Sequence, residues 1–259
     1  MQNKYEKDDS QILIAKVQDK QKFCKSKNKI TYSDFLNQAE KKLILKRIKL
    51  ERAFFYGGCE NSEREVLFFY PEKINEETAQ KAVNNFISAV RICLPNDMKG
   101  KYEHRNYLSA LIKIGMMREK IGDIIVDENG ADIVIFNINS DFIMLSLSQL
   151  TRFKKCKIEQ ISINDIREKK DNYEYILINV PSLRIDAVVS ELAKCSRNIA
   201  NELIEQERVF INYENVNKGS KIVGCEDIVN IRGKGKFIIG DTIKNTRKGN
   251  LVVNVKKYV

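Results

Sequence analysis

Several common functional signals are missing from this chain of 259 residues. It has no tryptophan and one histidine, and its six cysteines lie at least thirty residues apart, so no C-x-x-C or C-x-x-H pair offers a zinc or redox site. No G-x-G-x-x-G or P-loop motif is present to bind a dinucleotide or a nucleoside triphosphate. We therefore predict neither a metal nor a cofactor.

Long apolar runs and a signal-peptide profile are also missing. No stretch approaches the roughly 18 apolar residues of a membrane span. The first ten residues, M-Q-N-K-Y-E-K-D-D-S, lack the basic and then apolar order of a secretory signal. The expectation is a soluble, cytoplasmic protein without a membrane partner.

Positive charge is abundant and unevenly distributed. The chain has 45 Lys and Arg against 35 Asp and Glu, a formal net charge of +10. The last thirty residues hold eight basic side chains, with Asp241 as their sole acid. Such an excess favours an anionic partner, most often nucleic acid or a membrane surface. This tail is the predicted basic surface.

The N-terminal part is predicted to form two helices and an aromatic hairpin. Apolar spacing favours a modest helix over residues 8–27 and a stronger amphipathic helix over residues 33–48. Residues 52–71 indicate two short aromatic strands around a glycine turn, ended by a proline. We predict a first domain over residues 1–74.

The middle of the chain predicts the order β-α-β-β-α-β after a short entry helix. This is the ferredoxin-like plan that many RNA-recognition modules use. The strand A-D-I-V-I-F lacks the aromatic pattern by which such sheets stack bases, so stacking is not expected there. The predicted domain spans residues 75–165, with helices at 75–85, 103–114 and 140–150 and strands at 86–94, 122–127, 131–136 and 157–163.

A charged linker over residues 166–180 is predicted to precede a third domain over residues 181–259. Taken together, the fold class is α+β. The third domain is predicted to have helices at 183–193 and 197–207, strands at 209–212, 227–232, 236–239 and 251–257, and turns at Gly233, Gly240 and Gly249.

Arg197 lies at a position that is unfavourable for a cation. Ser196 is a good N-cap for the helix that follows, but a cation in the first turn meets the positive end of the helix dipole. Free amides at such an end bind phosphate. We therefore expect an anion beside Arg197, with a nucleic-acid phosphate as the obvious candidate.

The tail resembles the S-four, or alpha-L, RNA-binding domain. The pattern reads R-x-D, then S-R-x-x-A-x-x-x-I, then V-x-x-N-x-x-x-V-x-K, beginning at Arg184 and ending at Lys218. Family members commonly have glycine where this chain has Glu207, and N-G where it has Asn212 and Tyr213. These departures concern the tight turns rather than the helices.

A longer likeness covers most of the chain. Residues 103–131, the aromatic G-G hairpin before them, and V-N-I-R-G-K-G-K-F at residues 229–237 resemble the YlmH family. The resemblance implies an N-terminal region, an RRM-like middle domain and a C-terminal S-four domain. It also implies an RNA-binding protein that acts on stalled large ribosomal subunits carrying peptidyl-tRNA, with rRNA and tRNA as partners.

Several candidate RNA contacts also have a structural alternative. Asp186 either meets RNA, holds a neighbouring arginine, or is a helix cap in a surface pair. The G-K-G turn near Lys234 either admits a phosphate or is an ordinary hairpin. His104, next to Arg105, is more typical of a structural or secondary contact residue than of a catalytic base. The candidate RNA-binding residues are Arg184, Asp186, Ser196, Arg197, Arg208, Asn212, Lys218, Arg232, Lys234 and Lys236.

Three functions follow from these patterns. The first is a non-enzymatic, monomeric protein that binds structured RNA. The second is an RNA-modifying enzyme or its accessory subunit, since S-four domains accompany pseudouridine synthases and methyltransferases, although no synthase motif or glycine-rich cofactor loop is recognised. The third is an adaptor whose basic tail meets an acidic protein or membrane surface.

Overall fold

The computed structural model describes residues 2–168, 173–246 and 249–258, with side chains described from residue 10 onward. The chain divides into two compact units, Met1–Lys169 and Lys170–Val259. None of the helices in the described ranges is both long and apolar enough to cross a membrane, and the longest is polar along its length.

The first unit begins with a three-stranded antiparallel sheet in the order β1-β3-β2 and two helices. The predicted helix over residues 33–48 is wrong in its first part, because β1 occupies it. From Thr31 to Phe35 the side chains of β1 alternate between buried and half-buried positions, and the strand pairs with β3. Asn37 then caps the helix, with Glu40 completing a capping box. The elements are α1 (Gln2–Lys27), β1 (Thr31–Asn37), α2 (Gln38–Arg47), β2 (Ala53–Tyr56) and β3 (Arg64–Phe69).

The predicted ferredoxin-like arrangement of the middle region is confirmed. Its four strands form an antiparallel sheet in the order β5-β6-β4-β7, so the first and third strands of the motif lie together at the centre. The elements are α3 (Glu76–Lys81), β4 (Ile87–Cys93), α4 (His104–Lys113), β5 (Ile121–Asp127), β6 (Gly130–Phe136), α5 (Ser140–Gln149) and β7 (Lys157–Ile161).

Both faces of this middle sheet are covered. One face packs against α4 and α5. On the other face, Val134 and Phe136 share a core with Phe35 and Phe68 of the N-terminal sheet, and every residue of β6 is buried. Gly122 lies so close to Phe35 that a Cβ there would be 2.7 Å from the ring. The face that stacks bases in RNA-recognition modules is therefore inside the protein here.

The predicted boundary at residues 74 and 75 lies within this one compact unit. The N-terminal sheet and the ferredoxin-like fold share apolar core residues. They also share the buried carboxylate of Asp123, which accepts hydrogen bonds from the backbone N–H groups of Glu63 (2.9 Å) and Arg64 (3.0 Å). The two predicted domains are thus packed as one body.

The second unit is a six-stranded antiparallel sheet, in the order β10-β9-β11-β12-β13-β8, with two helices on one face. Val188, Leu203 and Ile204 of the helices pack on Val229 and Val255 of the sheet. The elements are β8 (Tyr173–Val180), α6 (Ile185–Ala193), α7 (Arg197–Glu205), β9 (Val209–Ile211), β10 (Glu214–Asn215), β11 (Ile228–Ile231), β12 (Gly235–Asn245) and β13 (Leu251–Tyr258).

Two predictions for this part of the chain are wrong. The second half of the predicted linker, residues 173–180, is β8, which pairs with β13 and buries Ile178 and Val180 in the core; residues 169–172 of that linker lie outside the described residues. Gly240 does not make a turn but lies within β12. A Cβ at Gly240 would be 2.9 Å from the carbonyl oxygen of Asn254, so glycine serves close strand approach there.

The tight turns form although the family's usual glycines are replaced. Glu207, Asn212 and Tyr213 have φ values of 55°, 50° and 68°, in the left-handed region that glycine occupies most easily. For a residue with a Cβ, this conformation costs roughly 1–2 kcal/mol. With Lys194 and Glu226, whose φ values are 52° and 63°, the described part of the second unit has five non-glycine residues in this region.

Candidate nucleic-acid interface

The N-terminal ends of α6 and α7 meet at one buried carboxylate. Asp186, in the first turn of α6, is 3% exposed. Its Oδ1 accepts a hydrogen bond from the backbone N–H of Ala187 at 2.8 Å. Arg184 donates to the same carboxylate from Nη2 at 2.9 Å and from Nε at 3.3 Å. The acid therefore satisfies the helix start and fixes one arginine side chain.

Arg197 reaches the same carboxylate from the start of α7. Ser196 caps that helix by accepting a hydrogen bond from the N–H of Ile199 at 3.3 Å. Nη2 of Arg197 lies 3.0 Å and 3.1 Å from the two oxygens of Asp186. The expected anion beside Arg197 is thus present within the protein, so the unfavourable helix position does not by itself require a phosphate.

The cluster of Arg184, Asp186 and Arg197, here called the Asp186 cluster, carries one net positive charge. The side chains of Arg184 and Arg197 are 42% and 47% exposed, while the carboxylate is enclosed. Burial alone would raise the pKa of Asp186, but hydrogen bonds from the two arginines outweigh it and lower the pKa below its ordinary value. Each guanidinium has five N–H groups, so donors remain for a ligand in solvent.

A lysine-bearing loop packs beside this cluster. Gly219 lies so close that a Cβ there would be 3.1 Å from Cβ of Asp186 and 2.5 Å from Oδ1 of Asn201. Its carbonyl accepts from the N–H of Asp186 at 3.1 Å. The exposed residues Lys218 and Lys221 flank this glycine, so the loop adds two cations near the helix starts.

The second basic group lies at the turn between β11 and β12. Arg208 Nη2 donates to the carbonyl of Arg232 at 3.0 Å, and the guanidinium of Arg232 lies 4.8 Å from the ring centroid of Phe210. The ammonium of Lys236 lies 4.3 Å from the ring centroid of Tyr258. These contacts hold Arg208, Arg232 and Lys236 against the sheet, with Lys234 exposed at the tip.

Two family models match consecutive parts of the chain. The first, described as the putative RNA-binding domain in YlmH, matches residues 84–165, and the S4 domain matches residues 183–229. The chain therefore contains regions similar to the RNA-binding domain of YlmH and to the S4 domain. The second match contains the whole Asp186 cluster, and the first covers most of the ferredoxin-like fold.

Similar proteins include one curated relative and one solved structure. The chain is 27% identical over 243 residues to "Ribosome-associated protein quality control protein P2" of Bacillus subtilis (strain 168), a match that covers 93% of this chain and 92% of the relative. A structure of "Cell division protein ylmH from Streptococcus pneumoniae" aligns at 22% identity with a TM-score of 0.45, covering 64% of this chain and 96% of that one.

Two candidate residues have side chains that support their neighbours. Asp186 is 3% exposed and holds the two arginines, which agrees with the alternative that it positions a neighbouring arginine. Asn212 donates to Asp227 Oδ1 at 2.6 Å and accepts from the N–H of Ile228 at 2.9 Å, so its side chain supports the turn. In the described structure, both side chains therefore make contacts within the protein.

The other candidates divide between the two units. His104 and Arg105 are exposed at the start of α4 in the first unit, where Arg105 pairs with Glu103 at 3.1 Å. Arg247 and Lys248, which contribute to the basic tail, lie outside the described residues. The remaining candidates are all in the second unit.

Sequence reasoning missed Lys221, Phe210 and Tyr258. Lys221 follows the glycine that packs on Asp186, and the sequence signal for it was the pair of lysines around Gly219-Ser220. Phe210 and Tyr258 carry the rings under Arg232 and Lys236. Only the strand register brings Tyr258 next to the turn, so no local signal could have found it.

Proposed function

We propose that this chain is a non-enzymatic protein of the ribosome that binds structured RNA through its second unit. The observation that carries the proposal is the Asp186 cluster, in which one enclosed carboxylate holds two half-exposed guanidiniums. The cluster keeps a net positive charge at the starts of two helices. It lies within the region that matches the S4 domain.

Phosphate recognition follows from the way the arginines are held. A guanidinium presents a planar fork of donors that matches phosphate oxygens, and it stays charged at any physiological pH. Because Asp186 already fixes both side chains, less rotamer freedom is lost when a phosphate binds. The positive ends of the two helix dipoles add favourable partial charge.

Ribosomal RNA and tRNA on the large subunit are the proposed partners, in the quality control of stalled complexes that carry peptidyl-tRNA. The support is the relative named for ribosome-associated quality control, which matches nearly the whole chain. The formal charge of +10 fits a polyanionic partner. We propose that the protein acts as a monomer in the cytoplasm.

The alternative of an RNA-modifying enzyme receives less support. Both matched families describe binding domains rather than catalytic ones. Mass spectrometry of nucleosides after incubation with transcript RNA tests this alternative, and a new modified nucleoside would favour it.

The direct experiment compares Arg197→Ala with Arg47→Ala. Arg47 is exposed in the last turn of α2, so its loss removes the same charge far from the Asp186 cluster in sequence. We expect Arg197→Ala to weaken binding to tRNA and co-sedimentation with large subunits about tenfold. Arg47→Ala should change both by less than about twofold.

Equal behaviour of the two variants would contradict the proposal, because binding would then depend on total charge alone. The salt dependence gives a second readout. Loss of one phosphate contact should lower the slope of log K against log salt by about 1 for Arg197→Ala. Far-ultraviolet circular dichroism of both variants confirms that the fold is retained.

A further inference from the structure

The sheet of the second unit packs against α6 and α7 on one face, and no described helix of this unit covers the other. Its strands alternate, so the residues next to each core residue point away from α6 and α7. In β8, Ile178 and Val180 face the core, while Tyr175 and Leu177 are 64% and 63% exposed. We call this uncovered side the open face of the second sheet.

The strand register gathers aromatic rings and cations on this face. Tyr258 pairs with Tyr173, and Lys256 pairs with Tyr175. The rings of Tyr173 and Tyr258 lie 4.8 Å apart at 70°, and Lys236 lies over Tyr258. The residues assigned to the open face by alternation are Tyr173, Tyr175, Leu177, Asn179, Phe210, Ile228, Asn230, Lys236, Ile238, Val252, Asn254, Lys256 and Tyr258.

The charged residues assigned to this face by alternation have one sign. Of the open-face residues just named, two are lysines and none is an acid. An apolar protein partner would make no use of the lysines on this face. A single-stranded nucleic acid would use both the lysines, for its phosphates, and the rings, for its bases. The face also continues directly into the turn that carries Arg232, which belongs to the proposed RNA interface.

From this arrangement we propose that the open face binds unpaired RNA nucleotides, with bases stacked on Tyr175 and Tyr258 and phosphates near Lys236 and Lys256. The proposal deepens the proposed function and rests on it. The middle sheet, by contrast, has no free face for this role, since the N-terminal sheet covers it. Stacking in this protein is therefore assigned to the second sheet.

The test compares a single-stranded RNA with a folded one. The probes are a labelled oligouridylate of about twelve nucleotides, within the usual range of site sizes, and a labelled RNA hairpin of equal length. Fluorescence anisotropy at one salt concentration gives the affinity of the full chain for each. Because the chain has no tryptophan, quenching of tyrosine emission by the unlabelled oligouridylate gives an independent readout of stacking.

The variants are chosen for their exposure. Tyr175→Ala removes a ring that is 64% exposed, and Tyr175→Phe keeps it. Leu145→Ala removes a side chain of similar exposure (63%) from the first unit. We expect Tyr175→Ala to weaken oligouridylate binding about fivefold or more. Hairpin binding should change less than about twofold, and Tyr175→Phe and Leu145→Ala should behave as the wild type.

Three results would overturn the inference: no measurable binding of oligouridylate by the wild type, equal losses on both probes, or a loss in Tyr175→Phe as large as in Tyr175→Ala. Failure of the proposed function looks different. In that case Arg197→Ala leaves hairpin binding unchanged, whatever Tyr175→Ala does to the single strand.

Discussion

In the described part of the chain, two buried aspartates each hold two arginines. One lies in each unit, and the two clusters differ in how exposed the arginines are. Asp132 is fully buried and binds Arg91 through two hydrogen bonds, of 2.9 Å and 2.7 Å. It also binds Arg167, whose Nε pairs with Asp127 at 2.9 Å. The side chains of Arg91 and Arg167 are 26% and 14% exposed.

The charge balance separates the two clusters. The first has two carboxylates for two guanidiniums and is neutral, whereas the Asp186 cluster has one carboxylate for two and keeps a positive charge. A neutral, enclosed cluster stabilises the fold, and an exposed cluster with spare charge and donors suits an anionic ligand. The same motif thus serves structure in one unit and, in our proposal, binding in the other.

The largest expected effect is on stability in the first unit. Replacing Asp132→Asn leaves Arg91 and Arg167 short of negative charge in a mostly enclosed site. We expect the free energy of unfolding of this unit to fall by about 3 kcal/mol. Asp186→Asn should lower that of the second unit by only about 1 kcal/mol, since its arginines can turn toward water.

Hydrogen exchange measured by mass spectrometry reports the two units separately. Equal loss of protection in the two variants would contradict this difference, because the two clusters would then contribute equally to stability.

The next effect is on RNA binding, tested with matched arginines. Arg184→Ala removes a half-exposed guanidinium from the Asp186 cluster and should weaken tRNA binding about tenfold. Arg91→Ala removes the corresponding group from the neutral cluster and should leave affinity within about twofold while lowering the stability of the first unit. Filter binding and thermal unfolding together check this pair. The reverse pattern would place the RNA contact in the first unit.

A smaller effect is expected on the pH dependence of stability. The pKa of Asp186 is lowered in the folded protein, so its contribution to stability is present above its ordinary value of 3.8 and is lost as the pH falls through the lowered pKa. The stability difference between the wild type and Asp186→Asn should therefore be constant from about pH 7 to 5 and shrink below about pH 4. Urea unfolding across this range measures it. A difference that fades between pH 7 and 5 would point to another titrating group.

The smallest effect comes from the strained turn at Glu207. Glu207→Gly relieves a left-handed backbone and should stabilise the second unit by about 0.5 kcal/mol, after the greater freedom of glycine in the unfolded chain is counted. The double variant with Glu207→Gly and Asp186→Asn separates a loss of stability from a loss of arginine positioning. Recovered stability without recovered RNA binding is the expected result, measured by hydrogen exchange and filter binding. Recovery of both would mean that the cluster acts through stability alone.

Local patterns predicted much of the fold and part of the site. Alternation and turn signals predicted the ferredoxin-like strands, and Ser196 predicted the start of α7. The strand β1 was missed because Phe35 and Leu36 fit a helical spacing as well as a strand, and only pairing with β3 decides between them. The strand β8 was not predicted, because the segment before residue 181 is charged and the apolar alternation of β8 begins only at Ile176.

The sequence predicts which residues belong to the candidate site, but it does not predict the contacts between them. Arg197 signalled a nearby anion, yet the sequence could not tell a phosphate from Asp186, eleven residues earlier, because that contact depends on the packing of two helices. The open face depends in the same way on the register of β13 with β8, which joins residues about eighty positions apart.

The affinity of Asp186→Asn for tRNA tests the central claim most directly. The substitution raises the net charge by one unit, so binding by diffuse charge alone predicts equal or tighter binding. If Asp186 instead positions Arg184 and Arg197 for phosphate, binding should weaken about tenfold at constant salt. Unchanged or increased affinity in a folded Asp186→Asn protein would contradict the account.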